Sequence, residues 1–452
     1  MVPSHETRLA RFGPAVCLGI LLFFVFSLYR GAYFWVDDFN NLHAVRQSSL
    51  GESVFDVVSP VTTHFRPVGM LAYEVAFDLF GTNARFYHWL MWVIHSVNVG
   101  LVYAVLKRIT QSRAGAVVGA LCFACPPVFS ETFWSFGTIF ELAGVSLFLT
   151  GLLLWQRQRR SVAVVLGASA VFILAIKAKE TAIVLPAIFM VQDLLLRRPL
   201  RWKEVALVIV PAAIGVWIGM QKVAEMGSAN PADPYYLDLR GVVMGRGFGY
   251  YFNLLFQTNL RWQVWSIGFV ALLLASFVMR WRPVAFFQIY IFIAFLPVIF
   301  LNNHRFAFYW YFPLLGVCGL VALIAKAIAG KFLEYVPSER AAVYGLIAFA
   351  LLSFGNYVYF KRTTGDGRAW QHGVSSKFRA MIESLQVLPA PNKGETLYFK
   401  ALPEYFDEER LLERAVEFAL QRDDIAVRLV TDFPPDARYR LDLIDSRVVM
   451  QR

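Results

Sequence analysis

The chain is poor in charge and in cysteine. Of its 452 residues only 17% are Asp, Glu, Lys or Arg, against about a quarter in a soluble domain. With 58% hydrophobic residues and a mean hydropathy of +0.52, that shortage excludes an ordinary soluble protein and indicates a polytopic membrane protein. The four cysteines, Cys17, Cys122, Cys125 and Cys318, all lie in apolar stretches. Cys122 and Cys125 have the spacing of a redox or metal pair, but no second pair completes a zinc site, and small buried hydrophobes fit them better. The sequence has no tandem repeat of fixed period, no low-complexity tract and no glycine-rich nucleotide motif in its tail. Arg8 and Arg11 precede the first apolar run as in a signal peptide, yet no small-residue cleavage site follows, so the run is expected to be a retained anchor.

What charge there is carries a pattern. The net charge of +11 is not a nucleic-acid footprint, because the cations sit in short clusters between apolar runs, as positive-inside loops do. Lys107-Arg108 with Arg113, Arg157 to Arg160, Arg197 to Lys203, Arg280 with Arg282, and Lys326 to Lys331 are placed on the cytoplasmic side with the N-terminus. The intervening runs give about eleven membrane helices, at 12–30, 87–106, 114–130, 137–155, 161–177, 181–196, 204–222, 262–279, 284–301, 307–329 and 341–360. Two outer loops, 31–86 and 223–261, and the chain after Lys361 remain outside. The fold class expected is therefore mainly α, a transmembrane domain over 1–360 followed by a small extracytoplasmic α/β domain over 361–452. In that tail, Thr396 to Lys400, Ala426 to Val430 and Tyr439 to Ile444 read as short strands, and Asp407 to Gln421 as a helix. Val68 to Phe80 is apolar enough to lie along the membrane. The glycine-spaced segment at Gly245 reads as another such helix or an incomplete span.

The first long apolar run ends in Tyr33, Phe34 and Trp35, followed at once by Asp37 and Asp38. An aromatic belt followed by charge marks a helix leaving the bilayer, and one acid there would be an ordinary solvated exit. The doublet gains weight from the other ionisable residues assigned to the same side: His64, Arg66, Glu131, Lys177, Lys179, Glu180, Arg246, His304 and Arg305. Ionisable groups at membrane depth are costly and usually functional. Carboxylates and cations on one face suit proton transfer together with an anionic ligand. Lys179 stands equally between an ion pair with Glu180 and phosphate binding. His304-Arg305, a basic pair on the side that positive-inside bias leaves poor in cations, favours an anion site. His88 and His95, seven apart on one helix face, fit hydrogen-bonded interhelical packing better than a metal site.

Several segments in order resemble one family. They are the aromatic-Asp37-Asp38 exit, His64-Phe-Arg66-Pro67-Val68, Gly81-Thr-Asn83 leading through His88 to Asn98, Pro126-Pro127 with Glu131 and Trp134, and Lys179-Glu180 leading to Pro186 and Asp193. Together they resemble the GT-C superfamily of polytopic glycosyltransferases, in the branch of the protein O-mannosyltransferases and the membrane part of the TMTC enzymes, over about the first 200 residues. The resemblance implies transfer of a sugar from a polyprenyl-phosphate carrier to an acceptor outside the cytoplasm, with inversion. It makes Asp37 or Asp38 the catalytic base and puts Glu131 in the site. His64, Arg66, Lys179, Arg246, His304 and Arg305 become candidates for the lipid phosphate or substrate. Some members hold a divalent cation through acids, and Asp37 with Glu131 are the candidate ligands. The chain lacks the tetratricopeptide repeats of the eukaryotic members, so the acceptor is a glycan, a lipid or a protein, and a bacterial inner membrane is the expected location. Two other classes stay open: a transporter or lipid flippase, and a non-catalytic relative acting as a membrane scaffold.

Overall fold

A computed structural model describes residues 5–59, 66–129, 131–157, 160–196, 209, 212–217, 220, 230–335, 338–363, 365–389, 391–400, 409–444 and 446–451. Among the described residues the chain is mainly helical, with one small sheet near its C-terminus. In chain order the helices are α1 His5–Ser27, α2 Val36–Gln47, α3 Leu50–Val58, α4 Pro67–Phe80, α5 Ala84–Thr110, α6 Arg113–Ala124, α7 Ile139–Trp155, α8 Val162–Ala178 and α9 Leu185–Leu196. They continue as α10 Gly241–Phe256, α11 Trp262–Val278, α12 Arg282–Phe295, α13 Leu314–Tyr335, α14 Ser338–Thr363, α15 Gly365–Gln386 and α16 Glu409–Leu420. Among the described residues, three stretches are long and apolar enough to cross a membrane: Ala84–Thr110, Phe136–Trp155 and Leu314–Phe332. Shorter apolar helices occupy Gly13–Ser27, Arg113–Ala124, Val162–Ala178, Trp262–Val278 and Arg282–Phe295. The expected span at 204–222 lies largely outside the described residues.

The chain divides into two compact units. The first comprises residues 1–27, 92–130 and 140–364. Its tightest helix pairing sets α6 against α13. A Cβ on Gly119 would lie 2.8 Å from the carbonyl oxygen of Cys318, and one on Gly115 would run into the carbonyl oxygen of Ala322. Glycines four apart thus meet small residues four apart, which lets two backbones approach where lipid offers helices no hydrophobic drive to associate. Polar side chains pin the neighbouring elements. His95 donates from Nε2 to the carbonyl of Ala124 at 2.9 Å, which leaves Nδ1 to accept from the Tyr311 hydroxyl at 2.6 Å. Asn98 donates to that hydroxyl at 3.3 Å and to the carbonyl of Leu142 at 3.0 Å, and accepts from Ser146 at 2.6 Å. His95 is therefore a satisfied packing residue, as its place on a buried helix face suggested.

The second unit comprises residues 28–91, 131–139 and 365–452. Its sheet has the order β2-β1-β3-β4, with β1 Thr396–Phe399, β2 Ala426–Leu429, β3 Tyr439–Ile444 and β4 Arg447–Gln451. The β1–β2 and β1–β3 pairs are parallel and β3–β4 is an antiparallel hairpin. α16 carries the chain from β1 towards β2 and buries Leu411, Leu412, Ala415, Val416, Phe418 and Ala419 on one face. The same unit takes in α2: Phe39 packs between Phe378 of α15 and Phe418 of α16, at 5.6 and 5.5 Å between ring centroids. Polar contacts continue that seam. His43 Nδ1 lies 2.8 Å from Glu417, and Arg46 donates to the Glu417 carbonyl at 3.0 Å.

The close pairing of α6 and α13 predicts that Gly115→Ala lowers stability by about 1–3 kcal/mol, the usual penalty of overpacking. Gly100→Ala, where a Cβ would meet nothing within 4 Å, should be neutral. Thermal unfolding of the detergent-solubilised protein checks both, and equal midpoints for the two variants would contradict the pairing.

Candidate functional site

The doublet Asp37-Asp38 begins α2, and the helix start sends its two carboxylates into opposite environments. Acids in a first turn are favoured by the helix dipole. Asp38 occupies the third helical position and reaches back to accept from the Trp35 N–H at 2.8 Å. It is 0% exposed and accepts from four further donors of the same unit. The Tyr73 hydroxyl of α4 lies at 2.6 Å, and the N–H groups of Gly137 and Phe136 at 2.7 and 3.2 Å. The Ser135 hydroxyl stands at 3.4 Å. Residues 135–138 turn tightly: Ser135 accepts from the Gly137 N–H, and the Thr138 hydroxyl donates to the carbonyls of Thr132 and Ser135. That turn aims two consecutive N–H groups at one carboxylate. Burial pushes the Asp38 carboxyl up to about 6, against the pull of Tyr73 and the N–H groups of Trp35 and Phe136, while the charge of Asp37 adds to the rise. The same burial and the adjacent carboxylate hold the Tyr73 hydroxyl well above its ordinary value.

Asp37 is exposed. Glu131 and Arg66, both half-buried, belong to the same unit; Arg66 precedes the first residue of α4, and its carbonyl accepts from the Met70 N–H. His64 lies outside the described residues. Among the described residues no three His, Cys, Asp or Glu side chains gather into a group able to hold a metal ion.

The remaining candidates lie in the first unit. Lys179 is 3% exposed and sits in extended backbone between α8 and a short 3-10 turn, Glu180–Val184. Its ammonium lies 2.6 Å from Glu141 in the first turn of α7, 3.4 Å from Glu180 and 5.7 Å from the centre of the Tyr309 ring. Glu141 is itself 3% exposed, so Lys179 has a buried counterion in addition to the neighbour expected from sequence. Arg305 is different. Its Nη2 donates to Asn302 at 2.9 Å and its guanidinium lies 5.7 Å from the Tyr250 ring, but its buried Nε has no hydrogen-bond partner among the described residues. The buried Tyr251 hydroxyl has none there either. Burial lowers the Arg305 pKa; the nearby Tyr251 and Tyr250 oppose that and the cation of Arg246 adds to it. Two cations close enough to repel, with an unused donor between aromatic rings, form a place that an anion would complete. His304 stands beside them, its ring 4.5 Å from Tyr235 and 4.6 Å from Phe306. Arg246 is exposed on α10.

The sequence gives no reason to single out Tyr73, Ser135 or Gly137 as site residues, and it marks Tyr250 and Tyr251 only as the end of the glycine-spaced segment at Gly245. Each is an ordinary residue type in an apolar or turn setting, and only its distance to a charged group marks it. Glu141, an acid inside a long apolar run, carried the one signal available from sequence.

No family model matches the chain, and no curated protein matches it. Solved structures do. ArnT from Cupriavidus metallidurans in the apo state matches with a TM-score of 0.55 at 15% identity, over 92% of this chain and 86% of that one. The same protein bound to undecaprenyl phosphate matches with a TM-score of 0.51 at 15% identity, over the same shares. The archaeal oligosaccharyltransferase AglB from Archaeoglobus fulgidus, in complex with an inhibitory peptide and a dolichol-phosphate, matches with a TM-score of 0.50 at 12% identity, over 95% of this chain and 65% of that one. At these identities the likeness is one of fold alone: the chain is similar in architecture to ArnT and AglB.

Asp38 sets a pH dependence. Its carboxyl binds a proton more tightly in the folded chain, at about 6, than at the ordinary 3.8. The resulting stability is complete below 3.8 and is lost as pH rises through about 6, a change on the order of 3 kcal/mol. Asp38→Asn cannot titrate. Pulse proteolysis between pH 4 and 7 should show wild-type stability falling relative to the variant by roughly that amount, and parallel profiles would refute the assignment.

Proposed function

We propose that this chain is a membrane glycosyltransferase that moves a sugar from a polyprenyl-phosphate carrier to an acceptor hydroxyl, inverting the anomeric centre, with Asp37 as the base. The observation that carries this reading is the opposite placement of two adjacent carboxylates. Asp38 is buried and accepts from five donors, so it is occupied in holding the start of α2. Asp37, one residue earlier and exposed, is the carboxylate that a hydroxyl can reach. It accepts the acceptor's proton as the oxygen attacks the anomeric carbon. The bond from that carbon to the phosphate oxygen breaks in the same displacement, and polyprenyl phosphate leaves as an anion. Half-buried Arg305, with an unbonded Nε among the described residues, and exposed Arg246 are assigned to the leaving phosphate on the sequence reading, because an incompletely neutralised cation stabilises developing charge most effectively. Arg66, His64, His304 and Lys179 are assigned to substrate binding, and Glu131 to the acceptor side.

The architecture supports a lipid-linked donor in general, since ArnT has been solved with undecaprenyl phosphate and AglB with a dolichol-phosphate. The finer readings, an O-mannosyltransferase-like branch and an active face outside a bacterial inner membrane, rest on the sequence motifs and the charge bias. The acceptor belongs to the glycan, lipid or protein classes.

The test follows release of lipid phosphate from polyprenyl-phosphate sugars by purified protein. Asp37→Asn should lower the rate 10²–10⁴-fold, the usual contribution of a positioned base, without shifting the unfolding transition. Asp38→Asn should lower activity and stability together. Wild-type turnover by Asp37→Asn would sink the proposal, and donor binding without turnover by the wild type would return the chain to the scaffold class.

A further inference from the structure

We infer that the first unit holds a second anion site, for the phosphodiester headgroup of an acidic phospholipid, in a basic cavity at the ends of α5, α6, α7, α9 and α12. The cavity encloses about 880 Å³. Cations from three clusters that the charge pattern assigned to one side of the membrane come together around it: Lys107, Arg108 and Arg113; Arg157 and Arg160; and Arg280 and Arg282. Among the described residues, its lining includes seven cations and a single carboxylate, Asp193. That carboxylate is spoken for: Arg160 donates to its two oxygens at 2.6 and 2.5 Å, and Asp193 is 5% exposed.

Helix electrostatics accounts for part of this charge and opposes two of the cations. Lys107 and Arg108 lie in the last turn of α5, where a cation suits the dipole, and Arg108 also donates to the Leu153 carbonyl at 2.6 Å. Arg113 and Arg282 occupy the opposite position, each the first residue of its helix, α6 and α12. A cation there is opposed by the dipole, so the fold gains nothing from these two charges. An anion between them would answer the two side chains. Topogenic bias explains why cations occur in these loops, but not why they converge on one cavity, where they repel one another.

The lining also says what kind of anion. Gln156 buries its amide oxygen with no hydrogen-bond partner among the described residues, while its nitrogen donates to Gln192 at 3.3 Å. An unused acceptor in a basic cavity suits a ligand that brings a hydroxyl together with its phosphate, as a glycerol headgroup does. Leu195, Leu196 and Pro283 line the same space, at the ends of apolar helices where acyl chains run. Basic pockets between membrane helices on the cytoplasmic side are recurrent sites for acidic lipid headgroups. A soluble phosphate compound offers the same anion without the acyl chains.

The experiment measures phosphatidylglycerol bound to the delipidated full-length protein in detergent by native mass spectrometry. Phosphatidylcholine is the zwitterionic control, and glycerol 3-phosphate the soluble source. Wild type should bind phosphatidylglycerol at least tenfold more tightly than phosphatidylcholine, and the preference should shrink as salt is raised from 0.05 to 0.5 M. The double variant Arg113→Gln/Arg282→Gln should lose about tenfold in phosphatidylglycerol affinity. Saturable binding of glycerol 3-phosphate that the double variant loses would assign the anion site to a soluble source and overturn the lipid assignment. Equal binding of the two lipids, or the same affinity in wild type and double variant, overturns the site. Should the double variant fail to fold, the salt dependence of the wild type decides alone: a preference unchanged between 0.05 and 0.5 M overturns it.

Discussion

A carboxylate removed from water must be met by donors, and the second unit is organised around meeting one. Asp38 draws together the residue before α2, the Tyr73 hydroxyl of α4 and the turn at residues 135–137. These points are up to 99 residues apart in sequence. The dependence runs both ways. Without the carboxylate the N–H groups of Phe136 and Gly137 lose their acceptor, and without the donors a charge at this depth would be prohibitive. Gly137 belongs to the same arrangement: a Cβ there would stand 3.2 Å from the Ser135 hydroxyl and 3.6 Å from both Asp38 and the Tyr73 hydroxyl. The position of Asp37 follows from that of its neighbour. An exposed carboxylate on a fixed helix start has few ways to wander.

The other face of α2 is held as firmly. Phe39 is fully buried between rings from α15 and α16, and His43 closes on Glu417, which also accepts from Arg414 at 2.8 and 3.0 Å. The C-terminal residues therefore do more than decorate the chain. They supply one wall against which the acid-bearing helix packs. Their sheet is small, and a parallel β1–β2 pair needs a covering helix on its face; α16 provides it and meets α2 through Arg414, Glu417 and Phe418. Phe418 touches Phe34 as well as Phe39, at 5.2 and 5.5 Å, so the aromatic exit noted in the sequence also serves as part of this wall.

Much of the fold was legible in the sequence because apolar length is a strong signal. The helix at Val68 to Phe80, the strands at 396, 426 and 439 and the helix ending near Gln421 stand close to where periodicity placed them. What was missed had weak patterns. α2 buries Phe39, Leu42 and Val45 on an otherwise polar helix, and α15 is also largely polar, so neither announces itself. β4 follows β3 after only two residues and reads as a continuation of it. In the candidate site, the acid doublet was visible and the division of labour within it was not. That division depends on Tyr73 and on residues 135–137, which are distant in sequence and chemically unremarkable. Lys179 repeats the lesson: sequence offered Glu180 as its partner, whereas folding brings Glu141 closer, from 38 positions upstream.

The same reasoning orders the cations. A buried cation with a buried carboxylate at ion-pair distance is electrostatically finished, and removing either partner strands the other. Lys179 with Glu141 is such a pair, and its first service is to hold α7 to the turn after α8. Arg305 has no carboxylate at ion-pair distance among the described residues, keeps an unbonded Nε, and feels Arg246 as a like charge. A protein tolerates that arrangement at a membrane surface only if something else supplies the negative charge for part of its working life. For a donor whose phosphate arrives esterified and leaves with an additional charge, an incompletely neutralised arginine is more useful than a satisfied lysine, because its interaction strengthens as the bond to sugar breaks. In the proposed reaction, that difference favours Arg305 with Arg246 over Lys179 as the cations assigned to the departing lipid phosphate.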